Sequence, residues 1–140
     1  MIIRKINIMK KFKLLIADDS REYCIKFKNR AKRKGINAAV TDGKSLLTLL
    51  SRMSTDIIVI DDIMPGPKCI DILKQIYSMN IPNKPKIVVT LSYHSDDFIK
   101  RAALFGVDLF IPKNSGIDSI VDKIRTLTDF PVEKRIDIAL

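Results

Sequence analysis

The sequence predicts one α/β domain in which a parallel five-stranded sheet carries helices on both faces. Short apolar runs alternate five times with amphipathic stretches, which is the pattern of repeated strand–helix pairs. The run at residues 57–60 consists of four consecutive apolar residues, as expected for a strand that is covered on both faces. The chain of 140 residues is long enough for one core, and the alternation implies right-handed crossovers between parallel strands.

The first two strand–helix pairs have clear boundaries. The first strand is predicted at residues 12–17, and a helix follows at residues 20–34. Ser20 is a suitable N-cap for this helix, and Gly35 is a natural stop. The second strand is predicted at residues 36–41. The second helix is indicated by four apolar residues at helical spacing: Leu46, Leu47, Leu50 and Met53.

The remaining three pairs repeat the alternation. Strands are predicted at residues 57–60, 87–90 and 109–111, and the third and fourth helices at residues 70–79 and 96–105. Gly106 closes the fourth helix. The fifth helix is indicated by apolar residues at spacings of three and four: Ile117, Ile120, Val121, Ile124 and Leu127.

The net charge of +9 is concentrated at one end of the chain. Residues 1–34 hold twelve Lys and Arg against three acidic residues, whereas residues 35–140 hold thirteen of each sign. A basic surface of this kind is compatible with nucleic-acid binding. A solvated helix face preceded by a basic arm explains the same charges, and we favour that interpretation.

The composition indicates a cytoplasmic protein with reduced thiols. Cys24 and Cys69 form neither a disulfide framework nor a metal-binding spacing. The single histidine, His94, argues against a histidine-rich metal site. No apolar run is long enough to span a membrane, and the first ten residues lack the features of a signal peptide.

Polar side chains follow four of the five predicted strands, where the carboxyl ends of parallel strands meet at one edge. These residues are Asp18 and Asp19, Asp61 and Asp62, Thr90 and Ser92, and Lys113. Carboxylates that converge in this way repel one another unless a cation joins them, and oxygen ligands suit Mg²⁺. A nearby lysine and hydroxyl supply the positive charge and the hydrogen-bond donor that a phosphoryl group needs. The set is therefore typical of a carboxylate nucleophile that accepts a phosphoryl group.

Four motifs, in order and at similar spacing, resemble the receiver domain of two-component response regulators. They are L-L-I-A-D-D-S, I-V-I-D-D-I-M-P, I-V-V-T and L-F-I-P-K. The resemblance covers residues 12–127 and implies a flavodoxin-like, doubly wound (βα)5 fold with strand order 2-1-3-4-5. The stretches A-D-D-S-R-E, D-D-I-M-P and G-V-D-L-F-I-P-K are similar in particular to the receiver of the sporulation master regulator of endospore-forming bacteria.

The resemblance distinguishes the two adjacent aspartates. The phosphoacceptor of the family lies four residues before the proline of the M-P pair, which is Pro65, and that position is Asp61. Because neighbouring side chains of a strand point to opposite faces, only one of Asp61 and Asp62 can face the pocket. Asp62 is expected to be an exposed bystander.

The metal ligands and the phosphate-binding residues are also implied by the resemblance. Asp19 would bind Mg²⁺ directly and Asp18 largely through water, with Asp61 and the backbone carbonyl of Ile63 as further ligands.

Lys113 would bind the phosphoryl oxygens, Thr90 would move toward them, and Phe110 would take the aromatic switch position. The implied partner is a histidine kinase or a histidine phosphotransferase. The implied effect is a changed surface on the fourth helix, fifth strand and fifth helix, where another protein or a second copy would bind.

Three residues depart from the pattern of the family. Cys69 replaces a glycine, and a positive φ there would strain the backbone. Asn114 replaces a proline that follows a cis bond, and we expect a trans bond here. Leu91 replaces a small residue next to Thr90. Phosphorylation is expected to be altered in rate or abolished.

Two functions remain open at this stage. One is a receiver phosphorylated at Asp61; the alternative is a degenerate receiver that binds proteins independently of phosphorylation. No independent enzyme activity is expected beyond self-phosphorylation from a phosphodonor and slow autodephosphorylation. The chain has no G-x-x-x-x-G-K-[ST] loop and no G-x-G-x-x-G helix start.

We assign residues 12–127 to the receiver domain. Residues 1–11 are predicted to be a basic N-terminal arm that need not be ordered, and residues 128–140 a C-terminal tail or the start of a linker. The sequence is compatible with a single-domain regulator and with a fragment of a longer one.

Overall fold

The computed structural model describes residues 3–8, 13–64, 66–127 and 134–139. The strands are β1 (Ile3–Ile8), β2 (Lys13–Ala17), β3 (Asn37–Thr41), β4 (Ile57–Asp61), β5 (Lys86–Leu91), β6 (Leu109–Pro112) and β7 (Lys134–Ala139). The helices are α1 (Arg21–Arg33), α2 (Gly43–Arg52), α3 (Cys69–Ser78), α4 (Asp96–Ala103) and α5 (Ile117–Leu127), with a 3₁₀ turn at Lys113–Ser115. Within the described ranges, no helix is both long and apolar enough to cross a membrane.

The five predicted strands form one parallel sheet in the order β3-β2-β4-β5-β6. Counted along the sequence from β2, this order is 2-1-3-4-5, so the predicted flavodoxin-like fold is confirmed. The central strand β4 is buried along its whole length, which explains its uninterrupted apolar sequence.

Two helical layers divide the core into two apolar clusters. Helices α1 and α5 cover one face, where Phe27 and Ile124 pack against Leu14 and Val59. Helices α2, α3 and α4 cover the other face. Alternate residues of each strand therefore enter opposite clusters, and the same alternation decides which side chains beyond the strand ends can meet.

Local interactions fix the start and the end of α1 as predicted. The Ser20 side chain accepts a hydrogen bond from the Tyr23 backbone N–H, which caps the helix. Gly35 follows the helix with a φ of 80°, a conformation that L-residues with a side chain adopt at a cost.

Strands β1 and β7 form a separate two-stranded antiparallel ladder that joins the two ends of the chain. Its register pairs Ile3 with Ala139 and Ile8 with Lys134. No strand was predicted in either segment. The pairing places both ends of the chain beside each other.

We predict that Phe27→Ala lowers the free energy of unfolding by about 3–5 kcal/mol, because it removes a fully buried ring between α1 and the sheet. Chemical denaturation measures this change. Ile25→Ala is a control on the same helix, since Ile25 is 51% exposed. An equal loss in the two variants would contradict the assigned packing of α1.

Candidate functional site

The register of the sheet brings four predicted site residues to one edge. Asp61 is the last residue of β4 and pairs directly with Thr90 of β5. Asp18 follows β2, the neighbour of β4 on the other side, and Lys113 follows β6. Asp18, Asp61 and Thr90 share the alternation of the strand residues that face α1 and α5, so their side chains converge on that side.

Three carboxylates form a cluster at this edge. Oxygen atoms of Asp18, Asp19 and Asp61 all lie within 4.8 Å of one another. Asp18 and Asp61 are buried, whereas Asp19 is exposed. An oxygen-only set that includes one solvent-exposed carboxylate fits a hard divalent cation such as Mg²⁺, which usually keeps several water ligands.

Burial and charge repulsion perturb the Asp61 carboxylate. Desolvation, reinforced by the charge of Asp18, raises the pKa of Asp61 from its ordinary value of 3.8 to about 6. The charge of Lys113 and the Thr90 hydrogen bond oppose this increase. The ionised Asp61 carboxylate is therefore unfavourable in the folded protein, and binding of a cation would reduce this cost.

Lys113 supplies the positive charge that the described residues place inside the cluster. Its Nζ atom lies 2.8 Å from Asp18 Oδ2 and 3.5 Å from Asp61 Oδ1. Burial alone would lower the pKa of Lys113, but the hydrogen bond and charge of Asp18, together with the charge of Asp61, raise it overall. The Lys113 amine is therefore protonated at neutral pH, and it lies beside Asp61, the carboxylate predicted to receive the phosphoryl group.

Thr90, Phe110 and Ile63 complete the predicted set. The Thr90 hydroxyl donates to Asp61 Oδ1 at 3.3 Å, and Thr90 is buried. Phe110 pairs with Val89 of β5 and packs, half-buried, against the cluster under α2, α3 and α4. Ile63 follows Asp61 by two residues, and its side chain is 51% exposed. The fold thus brings Asp18, Asp19, Asp61, Thr90 and Lys113 together at this edge, whereas Phe110 packs on the opposite face of the sheet and Ile63 lies in the loop after β4.

Comparison with known proteins shows the family of the chain. A sequence model of the response regulator receiver domain matches residues 14–125. CpxR of Klebsiella pneumoniae, a transcriptional regulatory protein, is 31% identical over 116 residues, which cover 82% of this chain and 48% of CpxR. The chain belongs to the response regulator receiver family. It spans about half the length of the curated relatives that it matches.

Solved receiver structures share the fold. The receiver domain of a Francisella response regulator superposes with a TM-score of 0.75 at 27% identity, covering 84% of this chain and 96% of that one. A response regulator from Thermotoga maritima gives a TM-score of 0.74 over 86% of this chain and 99% of that one. Its 20% identity limits that likeness to the fold.

Asp62, expected to be an exposed bystander, makes hydrogen bonds to Thr90 and to Ser92. Its backbone N–H donates to the Thr90 carbonyl at 2.9 Å. Both oxygens of its carboxylate accept from the Ser92 backbone N–H at 3.0 Å. Asp62 therefore links the end of β4 to the loop after β5, and it is half-buried rather than fully exposed.

The three departures from the family pattern are accommodated without backbone strain. Cys69 is the buried first residue of α3 and has no positive φ, so the strain considered at this position is absent. The positive φ in this loop belongs to Gly66. The bond that precedes Asn114 is trans, as expected. Leu91 is buried in the cluster under α2, α3 and α4.

One contact of the site was not predicted. The ring of Tyr23 lies under the ammonium of Lys113, with 4.4 Å from Nζ to the ring centroid. Tyr23 is in the first turn of α1, four residues after Asp19. In the sequence, Tyr23 is visible only as an aromatic residue one helical turn after Asp18 and Asp19. This position indicates a contact with Lys113 only when the fold is known.

We predict that Asp61→Asn raises the free energy of unfolding at pH 7.5 in the presence of a chelator. The pKa of the wild-type carboxyl is raised in the folded state, so its ionisation costs the folded protein on the order of 1–3 kcal/mol above about pH 6. This cost disappears as the pH falls below about 4, where Asp61 is protonated in both states. Chemical denaturation should therefore show a larger gain at pH 7.5 than at pH 5.

The exposed Asp71→Asn is the control for a lost charge outside the cluster, and it should give no such gain. A gain from Asp61→Asn that is absent, or that does not change with pH, would contradict the electrostatic description of the cluster.

We predict that Asp62→Ala lowers the free energy of unfolding by about 1 kcal/mol and accelerates hydrogen exchange of the Ser92 amide, because the carboxylate acceptor is removed. Asp62→Asn keeps one acceptor oxygen and should have the smaller effect on both. Amide exchange followed by NMR measures the local effect. Unchanged protection of Ser92 in Asp62→Ala would refute the link between the two loops.

Proposed function

We propose that the chain is a phosphorelay receiver in which Asp61 accepts a phosphoryl group from a histidine kinase or a histidine phosphotransferase. The observation that supports this most strongly is the set of groups around one carboxylate. Asp61 is buried, contacts both Lys113 and Thr90, and belongs to the cluster with Asp18 and Asp19. Asp62, its neighbour, is instead bonded to Ser92.

In the proposed step, an Asp61 carboxylate oxygen forms a bond to phosphorus while the bond between phosphorus and the donor nitrogen breaks. The electron pair of the broken bond stays on the donor imidazole, which takes up a proton. Lys113 binds the transferred oxygens, and the Thr90 hydroxyl donates a hydrogen bond to them. The raised pKa of Asp61 lies below neutral pH, so most of the carboxyl is ionised and nucleophilic there.

The carboxylate cluster supports Mg²⁺ as the cofactor. Asp18, Asp19 and Asp61, together with the backbone carbonyl of Ile63, would hold the ion. When bound, Mg²⁺ neutralises carboxylate and phosphoryl charge. Asp18 already accepts from Lys113 and from the Ser20 backbone N–H, so its carboxylate is oriented by the protein.

The output is proposed to run through the surface formed by α4, β6 and α5. Thr90 moves toward the phosphoryl group, and Phe110 on the adjacent strand β6 follows the change. A partner protein or a second copy of the chain binds the altered surface. The curated relatives are transcriptional regulatory proteins, which supports a transcriptional output of a cytoplasmic regulator.

The narrower resemblance to the sporulation master regulator rests on three short motifs. The relatives described above do not support it.

We predict that beryllofluoride with Mg²⁺ shifts amide NMR signals around Asp61, Thr90 and Phe110, and that acetyl phosphate adds one phosphoryl group to the intact protein. Asp61→Ala should abolish both responses because it removes the acceptor oxygen. Asp62→Ala is the matched control and should retain them. A wild-type protein that responds to neither reagent would contradict the proposed function.

A second function, protein binding independent of phosphorylation, is favoured by one specific surface. Arg21, Ile25, Lys28 and Lys32 lie on one stripe of α1, and all four are exposed. This stripe begins beside the carboxylate cluster and suits an acidic protein face. Binding of a kinase or phosphotransferase that Asp61→Ala leaves unchanged would support this alternative. Two further cations of α1 are already paired, Arg30 with Asp118 of α5 and Lys26 with Glu22 of its own helix, and we propose a protein partner rather than a nucleic acid for this surface.

A further inference from the structure

Among the described residues, three side chains contact the ammonium of Lys113, and one of them is aromatic. Asp18 and Asp61 lie 2.8 Å and 3.5 Å from Nζ, and the Tyr23 ring centroid lies 4.4 Å away. A cation is attracted to the negative face of an aromatic ring at this distance. Lys113 is therefore held from two sides, by carboxylates and by a ring.

The three contacts differ in what phosphorylation would do to them. Asp61 loses a charged oxygen when it becomes an acyl phosphate, and Asp18 gains a competing partner when a cation binds. The ring of Tyr23 keeps its electrostatic face throughout, because it takes part in neither event. Of the three contacts, Tyr23 is therefore the one whose chemistry neither event changes.

The position of the Tyr23 ring is itself fixed by packing. Ser20 accepts from its backbone N–H in the first turn of α1. The ring packs against the fully buried Phe27, with 6.3 Å between centroids, and contacts the core under α1 and α5. Because the Tyr23 ring is already ordered on the helix, only the flexible Lys113 side chain loses rotamer freedom when the two groups meet.

Tyr23 acts through its ring and not as an acid. Its hydroxyl oxygen is buried and finds no hydrogen-bond partner among the described residues. Burial raises the pKa of Tyr23 to about 12, so the phenol is neutral at physiological pH. A variant that lacks only the hydroxyl keeps the face that contacts Lys113, which separates the ring from the oxygen experimentally.

We propose that Tyr23 is the positioning residue for Lys113. Its ring holds the Lys113 ammonium beside Asp61, where the ammonium can bind the incoming phosphoryl oxygens without changing rotamer. This inference rests on the proposed function of Asp61 and Lys113. The aromatic face of Tyr23 thereby increases the rate at which the acyl phosphate forms on Asp61.

The kinetic test compares Tyr23→Phe with Tyr23→Leu. Tyr23→Leu keeps apolar volume but removes the aromatic face, and it should slow phosphorylation by acetyl phosphate with Mg²⁺ by about threefold to tenfold. Tyr23→Phe keeps the face and should retain the wild-type rate to within about twofold. Equal rates in the wild type and Tyr23→Leu, or an equal loss in both variants, would overturn the inference.

A spectroscopic readout tests the contact without phosphorylation. The Lys113 ε-carbon is bonded to the ammonium that lies over the ring, so its protons should show an upfield ring-current shift in the NMR spectrum of the wild type and Tyr23→Phe. The shift should vanish in Tyr23→Leu, while signals of Leu15 and Ile58, in the cluster on the opposite face of the sheet, report that the core remains folded. A normal Lys113 signal in the wild type would overturn the inference.

The two readouts keep the inference separate from the proposed function. A wild-type protein that shows the ring-current shift but takes up no phosphoryl group supports the positioning of Lys113 by Tyr23 and contradicts the role of Asp61. A protein that is phosphorylated at equal rates in all three forms contradicts the role of Tyr23 and leaves that of Asp61 standing.

Discussion

Electrostatic repulsion among three carboxylates is the constraint around which this receiver is organised. Parallel strands bring Asp18, Asp19 and Asp61 to one edge, and burial of Asp18 and Asp61 makes their repulsion costly. Lys113 lies between these two buried groups and offsets part of the cost. In the proposed function the same charge would bind the phosphoryl group, so an arrangement unfavourable to folding would serve phosphoryl transfer.

The proposed acceptor and the proposed switch residue Phe110 lie on opposite faces of the sheet. Helices α1 and α5 cover the face toward which Asp61 and Thr90 point, and α1 contributes Tyr23 to the contact with Lys113. On the opposite face, Phe110 packs among the residues under α2, α3 and α4. Thr90 and Phe110 lie on neighbouring strands, and in the proposed function a displacement of one would reach the other through the backbone ladder of β5 and β6.

The fold and most of the candidate site follow from the sequence because both depend on periodicity. Apolar runs locate the strands, and residues such as Asp61 and Lys113 are placed by the rule that parallel strands end at one edge. Contacts that depend on side-chain packing do not follow. The ring of Tyr23 meets Lys113 only once α1 is docked on the sheet, and nothing in the local sequence reports that docking.

The bonds of Asp62 to Ser92 and the pairing of Ile3 with Ala139 are likewise long-range and have no local signal. The backbone strain considered at Cys69 is absent, because Gly66 takes the positive φ of that loop and Cys69 starts a helix. The motif shows that a cysteine replaces the usual glycine, but it does not show that Gly66 adopts the positive φ in its place.

The identity of the phosphorylated residue tests the central claim most directly. The protein phosphorylated with acetyl phosphate and Mg²⁺ is treated with borohydride, which reduces an aspartyl phosphate to homoserine, and the peptides that contain residues 18 and 19 and residues 61 and 62 are sequenced by mass spectrometry. Our account predicts homoserine at position 61 and unmodified aspartate at position 62. Homoserine at position 62, or reduction at Asp18 or Asp19 instead, would contradict it.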